Sequence, residues 1–139
     1  MKKLADASSV HWEKLWTLVS ELEALQPQSL IENHGGNKTD DGFIVMPWTS
    51  YHPVVRHIEQ ALYALNVVQG VDWSQWGAEI DPSLVYDFER ISAGSLYDTV
   101  CFITGIVRSE RFGSGAIAAS LLNGSFVQAL GRLKVLADT

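Results

Sequence analysis

The stretch Ser95-Leu96-Tyr97-Asp98-Thr99-Val100-Cys101-Phe102-Ile103-Thr104-Gly105-Ile106-Val107-Arg108-Ser109-Glu110-Arg111 decides the fold. Leu96, Val100, Ile103 and Val107 recur at helical spacing and are expected to be nearly fully buried. Tyr97, Cys101, Thr104, Arg108 and Arg111 form a second stripe beside the first, and Phe102 and Ile106 take a third side. A helix that is apolar almost all round belongs in the middle of its domain. A central helix needs others to cover it, so the expected fold is mainly α: a compact, single-domain helical bundle.

The covering helices are legible on either side. Ser9 is a good N-cap, and Trp12, Leu15, Val19 and Leu22 make an apolar stripe, widened by Trp16 and Leu18, that ends at Gln26 before Pro27. A second long helix is expected to start near Pro53, capped by Ser50 or His52, and to end before Gly70. Its stripe is Val54, Ile58, Leu62 and Leu65, with Arg56, His57, Glu59 and Gln60 facing outward. Asp72 to Gly77 predicts a short turn tucking Trp73 and Trp76 inward, and Asp81-Pro82 starts a short segment through Phe88. Two further short helices are expected over about 114–122 and 125–136, separated by Gly124, the second opened by a Ser125/Gln128 capping box. Residues 1–8 read as an N-terminal tail and 9–137 as one helical domain. Between the first two helices, Gly35 to Gly42 is all turn chemistry. Leu30-Ile31 and Phe43-Ile44-Val45 around it predict a short two-stranded β ribbon near residues 30–45.

Composition narrows function by exclusion. Hydrophobic residues make up 47% of 139, too many for a disordered chain. The longest weakly polar run, Thr99–Val107, is less than half of the roughly 20 residues a membrane span needs, so no membrane association is expected. Met1-Lys2-Lys3-Leu4 has the charge of a leader, but Asp6, Ser8, Ser9, Glu13 and Lys14 interrupt any apolar core. A formal charge of −6 opposes direct attraction to nucleic acid. The lone cysteine, Cys101, forms no intramolecular disulfide and sits on the buried helix as an inert thiol, which points to the cytoplasm.

Candidate chemistry is sparse. Thr104, Arg108 and Arg111 share a helix face and leave a buried helix. One reading is a structural network in which the guanidinium groups pair with Asp98, Glu89, Asp87 or Asp81, or with carbonyls ending their own helix. The other is a binding site for a carboxylate or phosphate. Charge is segregated: Asp72, Glu79, Asp81, Asp87, Glu89 and Asp98 oppose only Arg90, whereas Arg108, Arg111, Arg132 and Lys134 oppose only Glu110. Asp72, Glu79, Asp81, Asp87 and Glu89 therefore form a candidate partner surface. His11, His34, His52 and His57 lack metal-site spacing and read as surface residues, so neither metal nor cofactor is expected. Gly35-Gly36-Asn37-Lys38-Thr39 lacks the spacing of a phosphate loop, and no nucleophile elbow occurs. Five tryptophans are many for this length: Trp12 with Trp16 and Trp73 with Trp76 read as core, or as interface if they are exposed together.

The block Ile103-Thr104-Gly105-Ile106-Val107-Arg108-Ser109-Glu110-Arg111-Phe112, followed by Gly115, Ser120, Gly124 and Leu130-Gly131-Arg132-Leu133, resembles the C-terminal signature of a small bacterial family, domain of unknown function 6508. Met46-Pro47-Trp48, Tyr51, Leu62-Tyr63 and Asp72 to Trp76 match its other blocks, and the resemblance covers roughly residues 9–136. Gly105 departs from the small helix former expected there, and Trp48 stands where another aromatic is expected. The resemblance implies one compact domain and points to the Arg108–Arg111 turn; it implies no activity. The expected function is a non-enzymatic, cytoplasmic protein-interaction or regulatory module with a protein partner or a second copy of itself. By analogy with small acidic proteins of that class, it extends to a phage- or mobile-element-borne inhibitor of host machinery. The rival is a small enzyme or ligand-binding protein that holds an anionic group with Arg108 and Arg111.

Overall fold

Ser9 has extended backbone (φ −62°, ψ 131°), and its side chain accepts the His11 N–H, which sets the start of helix α1, Val10–Glu23. The computed structural model describes residues 1–79, 88–111 and 115–138. On α1, Trp12, Leu15, Leu18 and Leu22 are buried, while Val19 is only half-buried, so the stripe runs through Leu18 instead. The helix stops at Glu23, earlier than Pro27 alone requires, and Pro27–Leu30 forms a single 3₁₀ turn.

Strand β1, Ile31–His34, then pairs antiparallel with β2, Trp48–Tyr51. A ribbon is present, but its register corrects the expectation that Leu30-Ile31 would face Phe43-Ile44-Val45. Ile31 faces Tyr51 and His34 faces Trp48, while Ile44 makes an isolated bridge with Lys38. The physical reason is the position of the turn. With its tip at Thr39–Gly42, closed by the Gly42 N–H on the Thr39 carbonyl, Lys38 meets Ile44, and the two strands further out keep that same register, with His34 opposite Trp48. Ile31 then reaches Tyr51, well past Val45.

Helix α2, Pro53–Ala64, is capped by His52, whose Nδ1 accepts the Val54 N–H at 3.1 Å. Val54, Ile58, Leu62 and Leu65 are buried as expected. Glu59 is half-buried rather than outward-facing. The helix ends well before Gly70, because Asn66 turns into the left-handed region (φ 61°) and the Val67 and Val68 N–H groups both return to the Leu62 carbonyl.

Helix α3, Trp73–Glu79, fulfils the short turn predicted at Asp72–Gly77. The segment expected to open at Asp81-Pro82 lies outside the described residues except at its end, where α4, Phe88–Ala93, continues further than expected. Gly94 and Ser95 separate α4 from the central helix α5, Leu96–Ser109, which opens with a complete Ser95/Asp98 capping box. Val100, Ile103 and Val107 are buried; Leu96 is only half-buried, since it occupies the first residue of the helix. Helices α6, Ala116–Asn123, and α7, Ser125–Ala137, follow. Gly124 separates them in the left-handed conformation (φ 82°). The expected Ser125/Gln128 capping box does not form: the Asn123 side chain accepts the Ser125 N–H at 2.8 Å, and Gln128 bonds Ser92 instead.

The core lies where α1, α2, α5 and α7 meet, around Leu15, Ile58, Leu62, Ile103, Phe126 and Leu130, none of which retains exposed surface. The segment before α1 is tied to this body. Ala5 N–H bonds the Leu65 carbonyl, Gln69 exchanges hydrogen bonds with both backbone groups of Lys2, and the Trp12 indole N–H reaches the carbonyls of Ala5 and Asp6.

Candidate functional site

The structure does not gather Thr104, Arg108 and Arg111 into one site. Thr104 is fully buried and donates its hydroxyl to the Val67 carbonyl at 3.1 Å, pinning the loop after α2 to α5. Arg111 is exposed and bonds the Tyr63 hydroxyl at 2.9 Å. It lines a small recess with Glu59, Tyr63, Val107 and Glu110, so two carboxylates accompany the guanidinium. Arg108 is half-buried, and its Nε is buried without a hydrogen-bond partner among the described residues. Asp98, one of four carboxylates offered as its partner, accepts from the Trp76 indole at 3.0 Å and the Ser95 N–H at 3.2 Å. Asp81 and Asp87 lie outside the described residues. Burial acts to raise the Asp98 pKa, but the bonds from Trp76 and Ser95, with Arg90 nearby, outweigh it and hold the carboxyl below its ordinary value.

Beside Arg111 sits a polar cluster organised by Glu110, whose place in the sequence shows only a charge. Its carboxylate accepts the Gly115 and Ile117 N–H groups (3.0 and 2.9 Å) and the Tyr51 hydroxyl (2.7 Å), and that hydroxyl accepts the Ala118 N–H. Helix α6 has no side-chain cap of its own, so Glu110 supplies the missing acceptor from the end of α5. Burial, then the bond to Glu110, raises the Tyr51 pKa, keeping the phenol protonated. Burial raises Glu59 as well, with the Glu110 charge adding to it and Arg56 and Arg111 opposing. With three donors on its carboxylate, Glu110 is bound as a helix cap that also anchors the base of the ribbon.

The ribbon is the molecule's most exposed apolar feature among the described residues. Phe43, Ile44, Val45, Met46 and Trp48 keep between 45% and 79% of their surface in solvent. The backbone behind them is held by bonds from Gly36 N–H to the Val45 carbonyl, from Val45 N–H to Asn37 and from Thr39 N–H to Phe43. Trp48 stacks on His34, with ring centroids 4.0 Å apart, and His34 Nε2 lies 2.7 Å from the Ser50 hydroxyl. The signal for this surface was present in the sequence as four consecutive apolar residues beside a turn, a position where no core can cover them.

The other candidates are dispersed. Asp72 and Glu89 are exposed, and Asp72 caps α3 by accepting the Gln75 N–H. Asp81 and Asp87, and the side chain of Glu79, lie outside the described residues. Arg132 bonds the Gly94 carbonyl at 2.8 Å, closing the α4–α5 junction. Trp12 and Trp16 stack at 5.8 Å under Lys134, a core-edge arrangement. Trp73 and Trp76 are half-buried and line a groove of about 370 Å³ with Cys101, Phe102, Gly105 and Ala119. Gly105 lies against the Trp73 ring, where an added Cβ would stand 3.4 Å away, about van der Waals contact. Burial pushes the Cys101 thiol pKa up, against nucleophilic use. Among the described residues no cluster of His, Cys, Asp and Glu could hold a metal, and no helix is long and apolar enough to cross a membrane.

These features define a small helical domain carrying an apolar β-ribbon arm. A family model described as a family of unknown function, DUF6508, matches residues 7–139, and the chain belongs to that family. No curated protein and no solved structure matches it.

Proposed function

We propose that this chain is a non-enzymatic, cytoplasmic protein-interaction module whose contact surface is the ribbon arm. The observation that carries the reading is the contiguous exposure of Phe43, Ile44, Val45, Met46 and Trp48 on a segment braced at its base by the Tyr51–Glu110 bond. Apolar patches of this kind mark binding surfaces, and aromatic and methionine side chains are enriched in them. The exposed Asp72 and Glu89 favour a basic partner, and the small size and net charge of −6 suit an inhibitor of host machinery of the kind phages carry. The rival reading, an anion held by Arg108 and Arg111, is disfavoured because Glu59 and Glu110 line the recess with Arg111.

The test is site-specific photo-crosslinking in extract of the source cell, with the probe at Phe43 or, as the comparison, at the exposed His57 on α2. A discrete adduct from position 43 that is absent from position 57, and abolished by Trp48→Ser, is the expected result. Equal labelling from both positions, or adducts from position 57 alone, would overturn the assignment.

A further inference from the structure

We infer that the outer edge of β1 accepts an extended segment of a partner protein as a third strand, one in which basic residues alternate with apolar ones. This rests on the reading of the arm as the contact surface and names the kind of partner it takes. His52 N–H donates to the Leu30 carbonyl at 2.9 Å, so the bonding pairs of the ribbon include Leu30 with His52, Glu32 with Ser50 and His34 with Trp48. The N–H and C=O of the alternate residue, Asn33, then point away from β2, and no other described segment bonds them. The opposite edge is blunted at both ends. β2 lies between Pro47 and Pro53, which have no N–H to offer, the usual way a sheet edge is blunted.

Charge decides the occupant. Glu32, exposed beside β1's open edge, and Asp40 and Asp41 at the tip outweigh Lys38 on the arm. A second copy would bring two acidic arms together. A strand laid along β1 sets every other side chain beside Glu32 and His34, where lysine or arginine is favoured. Its intervening side chains fall on the face of Ile31, which packs against the core, where apolar residues are favoured.

The experiment titrates the full ¹⁵N-labelled chain with an acetylated hexapeptide of alternating lysine and valine and follows amide hydrogen exchange. Exchange at Asn33 is expected to slow by about tenfold or more, in a salt-sensitive way. The same peptide N-methylated on its pairing edge should give no protection. Asn33→Pro should abolish binding with unchanged melting, whereas Asn33→Ala retains it. If Asn33→Pro fails to fold, the N-methylated peptide still decides. Binding without protection of Asn33, equal binding of the N-methylated peptide, or no binding at all overturns strand addition while leaving the Phe43 crosslinks intact. Protection of Asn33 that grows with protein concentration alone overturns it in favour of a second copy. Loss of the Phe43 crosslinks is a separate result, and it removes the arm reading itself.

Discussion

Glu110 joins three parts of the chain through one carboxylate. Removing it strands the Gly115 and Ile117 N–H groups and the Tyr51 hydroxyl together. Glu110→Ala should therefore cost about 1–3 kcal/mol in urea unfolding, and Glu110→Gln, which keeps one acceptor oxygen, clearly less. Equal stability of all three proteins would mean that α6 is capped by other means. Glu59 makes the opposite contribution. Its folded-state pKa lies above the ordinary carboxylate value, first from burial and then from the Glu110 charge. The folded chain thus holds the proton more tightly than the unfolded one. Stability from this group falls as pH rises between the unfolded and folded pKa values, and it stays low above them. Glu59→Gln should stabilise the protein at neutral pH, and the gain should vanish in melts below the unfolded value of 4.5. A gain that persists in acid would refute the electrostatic account. Arg108 illustrates what sequence cannot show at this scale. Its position predicts a dry surrounding, and its Nε is buried as expected, but of the four carboxylates offered as partners Asp98 is bound to Trp76 and Ser95, and Asp81 and Asp87 lie outside the described residues.

The elements divide by whether their determinants are local. Helix α5 was legible because its stripe, its Ser95 cap and the Asp98 that completes the box all lie in one run of sequence. Ile103, with no exposed surface, should cost about 2–5 kcal/mol when truncated to alanine, measured by denaturant unfolding. The ribbon was legible in kind but not in register, because register depends on which residues occupy the turn tip, and Gly35, Gly36 and Gly42 all adopt positive φ. Gly35 shows how narrow the solution is. It has φ +74°, and an added Cβ would stand 2.3 Å from the Met46 carbonyl oxygen. Gly35→Ala should disrupt the arm while sparing the helical body. Near-ultraviolet dichroism should lose the contribution of the His34–Trp48 stack, with far-ultraviolet helicity unchanged. An unaltered near-ultraviolet spectrum would show that the arm tolerates the displacement. The Ser125/Gln128 motif fails for a related reason: tertiary contact with Ser92 takes the glutamine, and Asn123 supplies the cap from the preceding turn.

At the scale of the whole molecule, the body was readable from apolar periodicity, whereas the surface that could act was only signalled, by four apolar residues beside a turn, because exposure is a property of the assembled chain. The N-terminal segment is a case in point. Charged and without a stripe, it reads as a tail, yet it completes the core rim. Gln69 is nearly buried, and its side-chain amide both accepts from the Lys2 N–H at 2.6 Å and donates to the Lys2 carbonyl at 3.0 Å. Leu4 and Ala5 pack on the core, and the Trp12 indole N–H finds its acceptors at Ala5 and Asp6. Deleting residues 1–6 would leave the buried Gln69 with fewer partners, deprive Trp12 of its acceptors and open the end of α2 to water. An unsatisfied buried polar group costs about 1–3 kcal/mol, so the truncated chain should unfold at lower urea with a loss of at least that size. Gln69→Leu in the intact chain is the control, since it removes the amide along with its need for partners but leaves Lys2 to bond water. It should cost less than the deletion. A truncated chain as stable as the intact one would show that these bonds merely replace equivalent bonds to solvent.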